Sequence, residues 1–395
     1  MYLCLRKNFI TMTTENLKMG NQYTKWVACW GNATSIIDQK ECVFAKNLTL
    51  RYPVRIVFAG SHLRFRFSNL TGTEPVSLTK ACVALQQDDY QPVPITFGGQ
   101  RSTVIGPGLE VESDAIPFPV EAGAEVDVSM YFEGYTQMNS GTLITGPLSR
   151  GKYSYGDFAE ERTLPLDFTR NTQWFYFLNT IDILTEERNH ALVCYGDSIT
   201  AQSWPDYMQL AAADGTSIIR RAVSGTRILR QYDCITYAAY GLKGATRFPI
   251  EMRVAGASAV IIQHGINDII HPVGYEVNPF RPWSDLPTVG EMEQGTADIY
   301  IAHARQLGLR VWSGTLLPIY GWRTYNEMRD RMRCEFNEWL RTSPLFDGCV
   351  DFDLAVRDAA HPAAFAPGFD SGDHLHPSET AYKAMADAVP EELLR

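Results

Sequence analysis

The chain has 395 residues, enough for two domains that each bury a core, and 45% of them are hydrophobic while 20% are charged. Its formal net charge is −10, which argues against nucleic acid or an anionic membrane as a partner, because both require a concentrated basic surface. The eight cysteines form no Cys-x-x-Cys pair and no Cys/His metal spacing, so no metal site is predicted.

Residues 1–20 are polar, mixed in charge and without periodicity, which predicts a disordered leader. They contain no apolar core of the length that a secretory signal needs. No run of about eighteen apolar residues, the length of a membrane span, occurs elsewhere in the chain. The sequence therefore predicts a cytoplasmic protein without a membrane partner.

Alternation of apolar and polar residues is typical of the next part of the chain, 21–187. The stretch 62–68 puts Leu63, Phe65 and Phe67 on one face, and 126–132 has the same period. Further short strands are predicted at 54–59, 76–85, 92–97, 104–105 and 174–184, separated by Gly, Pro, Asn and Asp clusters. This regular spacing predicts an all-β sandwich domain of jelly-roll type.

From 188 to 395, apolar strands alternate with helical patterns. Strands are predicted at 191–195, 217–223, 258–263, 309–315 and 349–353, and helices at 202–213, 235–252, 290–307, 325–341 and 378–389. Such alternation indicates parallel strands joined by right-handed crossovers. We predict an α/β domain of three layers for this half of the chain.

Ser198 follows the first of these predicted strands. The apolar run 191–195 ends at Gly196-Asp197, and a helical pattern begins near Trp204. A hydroxyl on a strand-to-helix turn lies at the carboxyl edge of the sheet, beside backbone N–H groups that are free to stabilise an anion. A serine nucleophile needs both features, although Gly-Asp-Ser alone fits a simple turn with a helix cap equally well.

Three more polar clusters follow later strands, and together with Ser198 they supply each role in acyl transfer. We predict Ser198 as the nucleophile, His376 as the general base and Asp373 as the group that orients His376. The oxyanion donors would be the backbone N–H groups of Ser198 and Gly225 and the side-chain amide of Asn267. Each cluster alone fits an ordinary turn or surface position, but their combination favours catalysis.

The four clusters resemble the conserved blocks of the SGNH hydrolases, also called the GDSL esterase/lipase family. The first block is present as Gly-Asp-Ser-Ile at 196–199, with Ile where the family name has Leu, and the second block's glycine matches Gly225. The third block is Gly-Ile-Asn-Asp at 265–268, and the fifth is Asp-His-Leu-His-Pro at 373–377. The resemblance covers roughly 190–395 and implies a flavodoxin-like α/β/α fold, hydrolysis of small esters and no metal or organic cofactor. His374 is the competing candidate for the base, but its spacing from Asp373 departs from the family pattern.

The preceding all-β part looks like the region found before the catalytic domain in some bacterial family members, several of which are carbohydrate acetylesterases. By that likeness the expected substrate is a short acyl ester, most simply acetyl, on a small molecule or oligosaccharide. A lysophospholipid, thioester or aryl ester substrate stays open, as does a non-catalytic glycan-binding protein. Three roles are open for the all-β part: it binds sugar, shapes the entrance of the active site, or forms a contact in a homo-oligomer.

Five further residues are candidates for substrate contact: Arg227, His264, Trp283, Tyr320 and Trp322. Exposed aromatic rings beside a catalytic serine stack well on sugars, and an arginine suits an anionic or polyhydroxylated ligand. Each of them also has a structural explanation, since large aromatics usually pack inside and arginines usually form ion pairs.

Overall fold

The computed structural model describes residues 22–36, 44–165, 167, 169–231 and 241–395. The predicted leader at 1–20 and the first part of the predicted helix at 235–252 lie outside the described residues. We call residues 25–185 the β region and residues 190–395 the α/β region.

The β region consists of short, mostly antiparallel strands. They are β1 Lys25–Gly31, β2 Ser35–Ile36, β3 Phe44–Ala45, β4 Leu48–Arg55, β5 Gly60–Ser68, β6 Val76–Leu78, β7 Lys80–Leu85, β8 Val93–Pro94, β9 Thr103–Ile105, β10 Glu110–Glu112, β11 Ile116–Val120, β12 Glu125–Phe132, β13 Thr136–Gln137, β14 Ser140–Leu143, β15 Gly151–Tyr155, β16 Arg170–Thr172, β17 Trp174–Tyr176 and β18 Leu178–Thr185. One large sheet has the order β16-β15-β4-β12-β7-β8, and a second has the order β1-β18-β5-β10 with β11 also paired to β5. The two sheets bury their apolar faces in a shared core, so the predicted sandwich is present, while its jelly-roll connectivity stays a prediction.

Several predicted strand bounds in the β region are wrong. The strand predicted at 54–59 ends at Arg55, because Ile56 leaves the sheet and pairs with a turn through its N–H to Ala124 O at 2.8 Å. The strand itself begins at Leu48 and alternates buried apolar residues with Arg51 and other polar ones. The strands predicted at 76–85 and 174–184 are each split in two. Of the strand predicted at 92–97, Val93–Pro94 forms a strand and Phe97 forms an isolated bridge with Gln100.

The α/β region is built on one parallel sheet. Its strands are β19 His190–Gly196, β20 Thr216–Ala222, β21 Ala257–Gln263, β22 Arg310–Gly314 and β23 Gly348–Val350. Its helices are α1 Trp204–Ala211, α2 Gly244–Glu251, α3 Ile266–Ile270, α4 Val289–Gly295, a π-helical segment Thr296–Ile301, α5 Ala302–Gln306, α6 Glu327–Thr342, α7 Phe352–Val356 and α8 Glu379–Asp387, with 3-10 turns at Trp283–Asp285 and Glu391–Leu393. The strand order β20-β19-β21-β22-β23 is the flavodoxin-like order, as expected.

The sequence explains how these elements form and where they end. Strand β19 is buried on both faces, as the apolar run requires. Helix α8 begins after Ser378, whose side chain accepts a hydrogen bond from Ala381 N, and helix α6 begins after Asn326, which caps Arg329 N in the same way. Two helices were not predicted, α3 and α7, because five residues are too few to show a helical period. No helix among the described residues is both long and apolar enough to cross a membrane.

The two regions share one hydrophobic core and a polar interface along the edge strand β20. Arg221, 1% exposed, extends from β20 into the β region, where it donates to Asn179 O at 3.1 Å and to Thr180 Oγ1 at 2.7 Å. Ser217 Oγ donates to Ala28 O at 2.6 Å on strand β1. Every residue of β20 is buried as a result, although only β19 pairs with it in the described sheet.

Candidate active site

Ser198 lies on the turn between β19 and α1, at the carboxyl edge of the parallel sheet. The turn starts at Gly196, where a Cβ would collide with the side chain of Thr200 and the carbonyl of Gln263. Gln202 Nε2 donates to Ser198 O at 3.2 Å and closes the turn. Ser198 itself stays partly exposed. Only glycine therefore lets the strand end close enough to its neighbour to present the serine hydroxyl.

His376 and Asp373 approach Ser198 from the loop before α8. Ser198 Oγ is 2.9 Å from His376 Nε2, and His376 Nδ1 is 2.6 Å from Asp373 Oδ2. Asp373 Oδ1 also accepts the backbone N–H of His376 at 2.8 Å, which fixes the loop around the carboxylate. Burial raises the pKa of Asp373, but the hydrogen bonds from the His376 ring and backbone outweigh it and bring that pKa down to about 2. A charged Asp373 favours the tautomer in which Nδ1 carries the proton and Nε2 is free to accept one.

His374 faces another partner. Its Nδ1 lies 2.5 Å from Asp370 Oδ2, its side chain is 50% exposed, and its backbone has a φ of 64°. The left-handed backbone at this position turns the chain so that His376, two residues later, faces Ser198. The geometry therefore brings His376, and not His374, to the serine.

The opposite side of Ser198 holds the predicted oxyanion donors. Gly225 follows β20 with a φ of 75°, a conformation that other residues rarely adopt. Within the described part of the chain, the backbone N–H groups of Ser198 and Gly225 have no acceptor. Asn267 lies on α3 and its Nδ2 donates to Thr226 O at 3.1 Å and to Asp197 Oδ2 at 3.3 Å. The structure thus contains two free backbone donors and a side-chain amide that is held by Asp197.

Two buried carboxyl groups lie behind these donors. Asp197, fully buried, accepts Ile199 N at 3.1 Å as well as the amide of Asn267, and burial raises its pKa to about 7. Asp268 accepts the backbone N–H groups of Ile228 and Leu229, and burial raises its pKa to about 6. These acids anchor the oxyanion side of the site from within the core.

Two of the predicted substrate contacts are buried side chains. Arg227 is 1% exposed and donates to Gly225 O at 3.1 Å and to Arg230 O at 3.1 Å. His264 is 3% exposed, and its ring nitrogens lie 3.0 Å from Thr226 Oγ1 and 2.7 Å from Tyr300 OH. Burial lowers the pKa of His264 well below its ordinary value. Both side chains therefore support the backbone near Gly225 from inside instead of facing a ligand.

The three aromatic candidates differ in exposure. Trp283 and Tyr320 are 45% and 48% exposed, whereas Trp322 is half-buried and packs against the core. The loop of Tyr320 lies against the loop of the base, since a Cβ on Gly321 would touch the ring of His374 at 2.8 Å. Trp283 Nε1 donates to Glu276 Oε1 at 3.1 Å, which fixes its ring at the surface. Trp283 and Tyr320 are thus accessible to a ligand, and Trp322 has a packing role.

One buried residue that contacts this site was missed by the sequence reasoning. Arg247 on α2 is 1% exposed and donates to Thr226 Oγ1, next to Gly225. Its sequence signal was an arginine and a glutamate, Glu251, four residues apart on a helix, which is typical of an exposed ion pair. Among the described residues, no group of three or more His, Cys, Asp or Glu side chains is arranged to hold a metal ion.

With the fold and the geometry known, comparison with protein families identifies the chain. The family described as GDSL-like Lipase/Acylhydrolase matches residues 192–389, half of the chain, and the protein belongs to this family. The match covers β19 through α8 and includes Ser198, Gly225, Asn267, Asp373 and His376. No curated protein matches the chain.

Solved structures of the same family resemble the chain at low identity. A G-D-S-L family protein from Desulfitobacterium hafniense is 18% identical, covers 52% of this chain and 100% of its own, and has a TM-score of 0.38. An acetylxylan esterase from Geobacillus stearothermophilus is 16% identical, with 51% and 94% covered and a TM-score of 0.37. A carbohydrate acetylesterase from Sinorhizobium meliloti is 17% identical, with 51% and 96% covered and a TM-score of 0.34.

Proposed function

We propose that this protein is a serine esterase that hydrolyses short acyl esters, with acetyl esters of carbohydrates as the expected substrates. The observation that carries the proposal is the chain of hydrogen-bonding distances from Ser198 Oγ to His376 Nε2, 2.9 Å, and from His376 Nδ1 to Asp373 Oδ2, 2.6 Å. A nucleophile, a base and an orienting carboxylate in this order are the arrangement that acyl transfer needs.

In the first half of the proposed reaction, Ser198 Oγ attacks the ester carbonyl while its proton passes to His376 Nε2. The tetrahedral intermediate carries its negative charge on the former carbonyl oxygen. His376 then gives the proton to the leaving alkoxide, the bond between the carbonyl carbon and the alkoxy oxygen breaks, and the alcohol departs. Asp373 stays charged throughout and stabilises the imidazolium. The product of this half is an acyl-serine.

In the second half, water attacks the acyl-serine and His376 takes a proton from the water. A second tetrahedral intermediate collapses, the proton returns to Ser198 Oγ, and the acid is released. Both intermediates would be stabilised by the N–H groups of Ser198 and Gly225, which have no other acceptor in the described residues. Asn267 would contribute a third donor by exchanging its 3.3 Å contact with Asp197 Oδ2 for the oxyanion.

The two exposed rings support a carbohydrate as the alcohol part of the substrate. Tyr320 is 48% exposed on the loop that packs against His374, close in the chain to His376. Trp283 is 45% exposed and held by Glu276. Sugars present apolar C–H faces, and exposed aromatic rings that are held in place can stack on them.

For the β region, we propose a role as a wall of the active site. Thr145 N–H donates to Ala201 O at 3.3 Å, three residues after Ser198, and Thr142 Oγ1 lies 3.5 Å from Ala222 O at the end of β20. Leu148 N–H donates to Asp206 Oδ2 at 2.8 Å on helix α1. Residues 142–148 thus contact the loops on both sides of the serine. These contacts favour the role of an active-site wall and not that of a separate sugar-binding module.

The test measures release of free acid from acetylated oligosaccharides and from acetyl, butyryl and octanoyl nitrophenyl esters. Ser198→Ala, with the same surface and no nucleophile, is the blank in every assay. Fastest release of acetate from the acetylated oligosaccharides supports the full proposal. A preference for octanoyl esters overturns the short-chain assignment and leaves the proposed serine mechanism unchanged. Equal rates for the native protein and Ser198→Ala on every ester would overturn the esterase itself.

A further inference from the structure

Arg247 is a charged side chain in the centre of the α/β region. It lies on helix α2 and is 1% exposed, and its partner Glu251, one turn later, is 5% exposed. Arg247 Nη2 lies 2.9 Å from Glu251 Oε2, and the guanidinium stacks on the ring of Tyr195, 4.7 Å from its centre. Burying such a pair costs desolvation free energy that well-packed apolar residues would not. An ion pair in this place therefore calls for an explanation beyond packing.

The remaining hydrogen atoms of the guanidinium go to main-chain and hydroxyl oxygens at the ends of two strands. Nη1 donates to Thr226 Oγ1 at 2.6 Å, and Nη2 donates to Arg221 O at 3.1 Å. Both nitrogens also lie near Gly196 O, at 3.3 Å and 3.4 Å. One planar group thus joins the end of β19, the end of β20 and the turn that follows β20.

Each of these acceptors belongs to a segment that presents an oxyanion donor. Gly196 precedes Ser198 by two residues, and Thr226 directly follows Gly225. Thr226 O accepts Nδ2 of Asn267 at 3.1 Å, so the third donor is tied to the same residue. A shift of Arg247 would therefore move all three donors relative to one another.

The contact pattern suits arginine and no other side chain. A guanidinium is planar and presents five donors in fixed directions, whereas a lysine ammonium is compact and bonds to one cluster of acceptors at a time. Because Glu251 compensates the charge, the contribution of Arg247 to the site is the spacing of its acceptors more than a positive field. Donors that are misplaced by a fraction of an ångström stabilise the transition state less, while the ground state is little affected.

We propose that Arg247 is a positioning residue that sets the distances among the three oxyanion donors, Ser198 N, Gly225 N and Asn267 Nδ2. This inference rests on the proposed esterase function. Arg247 does not touch the substrate; it acts through Gly196, Thr226 and the peptide of Arg221. Its loss would show as slower turnover at nearly unchanged substrate binding.

The principal test is Arg247→Lys, which keeps a positive charge beside Glu251 but loses the planar guanidinium with its five fixed donors. Deleting an oxyanion donor costs about 10²–10³ in kcat, and displacing donors without deleting them should cost about tenfold to a hundredfold, with KM changed less than about twofold. The inhibition constant of an alkyl boronic acid, which forms a tetrahedral adduct on the serine, should rise by the same factor as kcat/KM falls.

A matched control separates positioning from stability. Arg51 in the β region is 4% exposed and its guanidinium donates to Ser129 Oγ and to the carbonyls of Arg162, Phe158 and Glu161. Arg51→Lys should lower the unfolding temperature as Arg247→Lys does, yet leave kcat and boronate inhibition unchanged.

A second pair of variants tests the same link from the acceptor side, even where Arg247→Lys fails to fold. Thr226→Val removes, at nearly constant volume, the oxygen that accepts from Arg247 Nη1 and that also donates to Val223 O and contacts His264 Nε2, and Thr226→Ser keeps that oxygen. We expect Thr226→Val to lower kcat about tenfold and Thr226→Ser to retain it. Displacing one oxyanion donor should lower kcat less than deleting that donor does.

The outcomes are distinct. If Arg247→Lys and Thr226→Val both keep the native kcat and boronate affinity, the positioning role is wrong and the esterase stands. Equal losses of kcat in Thr226→Val and Thr226→Ser would also overturn it, because the hydroxyl would then be irrelevant. Absence of Ser198-dependent turnover in the native protein would overturn the proposed function itself, before any Arg247 variant is compared.

Discussion

The two sides of Ser198 are built in opposite ways. On one side, the side chains of His376 and Asp373 are 25% and 43% exposed and lie on a loop. On the other side, Asn267 and Asp197 are 3% and 0% exposed and belong to the core. The proposed base must exchange protons with the alcohol and with water, so it needs access. The oxyanion donors act best where water is excluded and movement is small, so burial suits them.

This contrast separates activity from stability. Substitutions on the exposed side should lower turnover while the protein remains folded, since few buried groups lose a partner. Substitutions on the buried side should lower turnover less than loss of His376 does, and should lower the free energy of unfolding more, because they leave polar groups unpaired in the core. The following experiments test that difference, beginning with the largest expected effect.

His376→Ala should lower kcat about 10⁴- to 10⁶-fold, because the serine loses the group that takes its proton. The free energy of unfolding should change by less than about 1 kcal/mol, since the ring is partly solvated. Steady-state kinetics and urea unfolding measure both. His374→Ala is the control, and a loss of turnover in it as large as in His376→Ala would mean that the roles of the two histidines are assigned wrongly.

Asn267→Ala should lower kcat about 10²- to 10³-fold with little change in KM, since its amide is needed mainly in the transition state. It should also cost about 1–3 kcal/mol of stability, because Asp197 and the carbonyl of Thr226 lose their donor in the core. Asn337→Ala is the control: this buried residue holds both polar atoms of Leu316, so it should lose stability and keep kcat. An effect of Asn267→Ala confined to KM would argue against the oxyanion role.

Asp373→Asn should lower kcat about tenfold to a hundredfold, less than a buried orienting carboxylate would, because solvent screens an exposed charge. The backbone N–H of His376 also holds the carboxyl group and would hold the amide oxygen in the same way. Steady-state kinetics of the native protein and of Asp373→Asn are the measurement, and an unchanged kcat would contradict the contact between Asp373 and His376.

The smallest effect concerns pH and stability on the buried side. Burial raises the pKa of Asp268 to about 6 from an ordinary value of about 3.9, so the folded protein binds this proton more tightly than the unfolded chain. Its contribution to stability is complete below about pH 4 and is lost as the pH rises through 6. The buried His264 and His271 have lowered pKa values and produce an opposite trend, which native protein and variant share.

Asp268→Asn removes this titration. The difference in unfolding free energy between Asp268→Asn and the native protein should therefore shift in favour of the variant from pH 4.5 to pH 7, on top of a constant offset from the altered hydrogen bonds. Urea unfolding at several pH values measures it. A difference that stays constant across this range would mean that Asp268 is ionised in the fold at pH 4.5.

Sequence reasoning was strongest where chemistry and periodicity coincide. The parallel strands were predicted to within a few residues, because buried strands are continuous apolar runs. Ser198, His376 and Asp373 were predicted as catalytic candidates because acyl transfer needs those residue types. Arg227 and His264, predicted as ligand contacts, are buried, and the buried Arg247 was not predicted, for one reason. The same types of polar residue occur in the core and at the surface, so the sequence does not distinguish them. Only the fold shows which carbonyl groups the buried ones bind.

In the β region the sequence predicted the architecture better than the bounds. Alternation of apolar and polar residues identified the strands around Leu63 and Val128. The prediction placed the strand Leu48–Arg55 at 54–59, and its polar residue Arg51 is buried because it donates to carbonyls of a distant segment of the chain. Contacts between segments far apart in the chain decide such positions, and no local pattern contains them.

Strand β20 has a consequence for any attempt to shorten the protein. Its outer edge is covered by the β region through Ser217, Arg221 and strand β1, and all seven of its residues are buried. A fragment that starts at residue 188 would present this edge to solvent, with Ile218 and Ile219 and unpaired backbone groups beside them. Exposed strand edges pair with one another, so we expect the isolated α/β region to aggregate, whatever the chemistry of its serine.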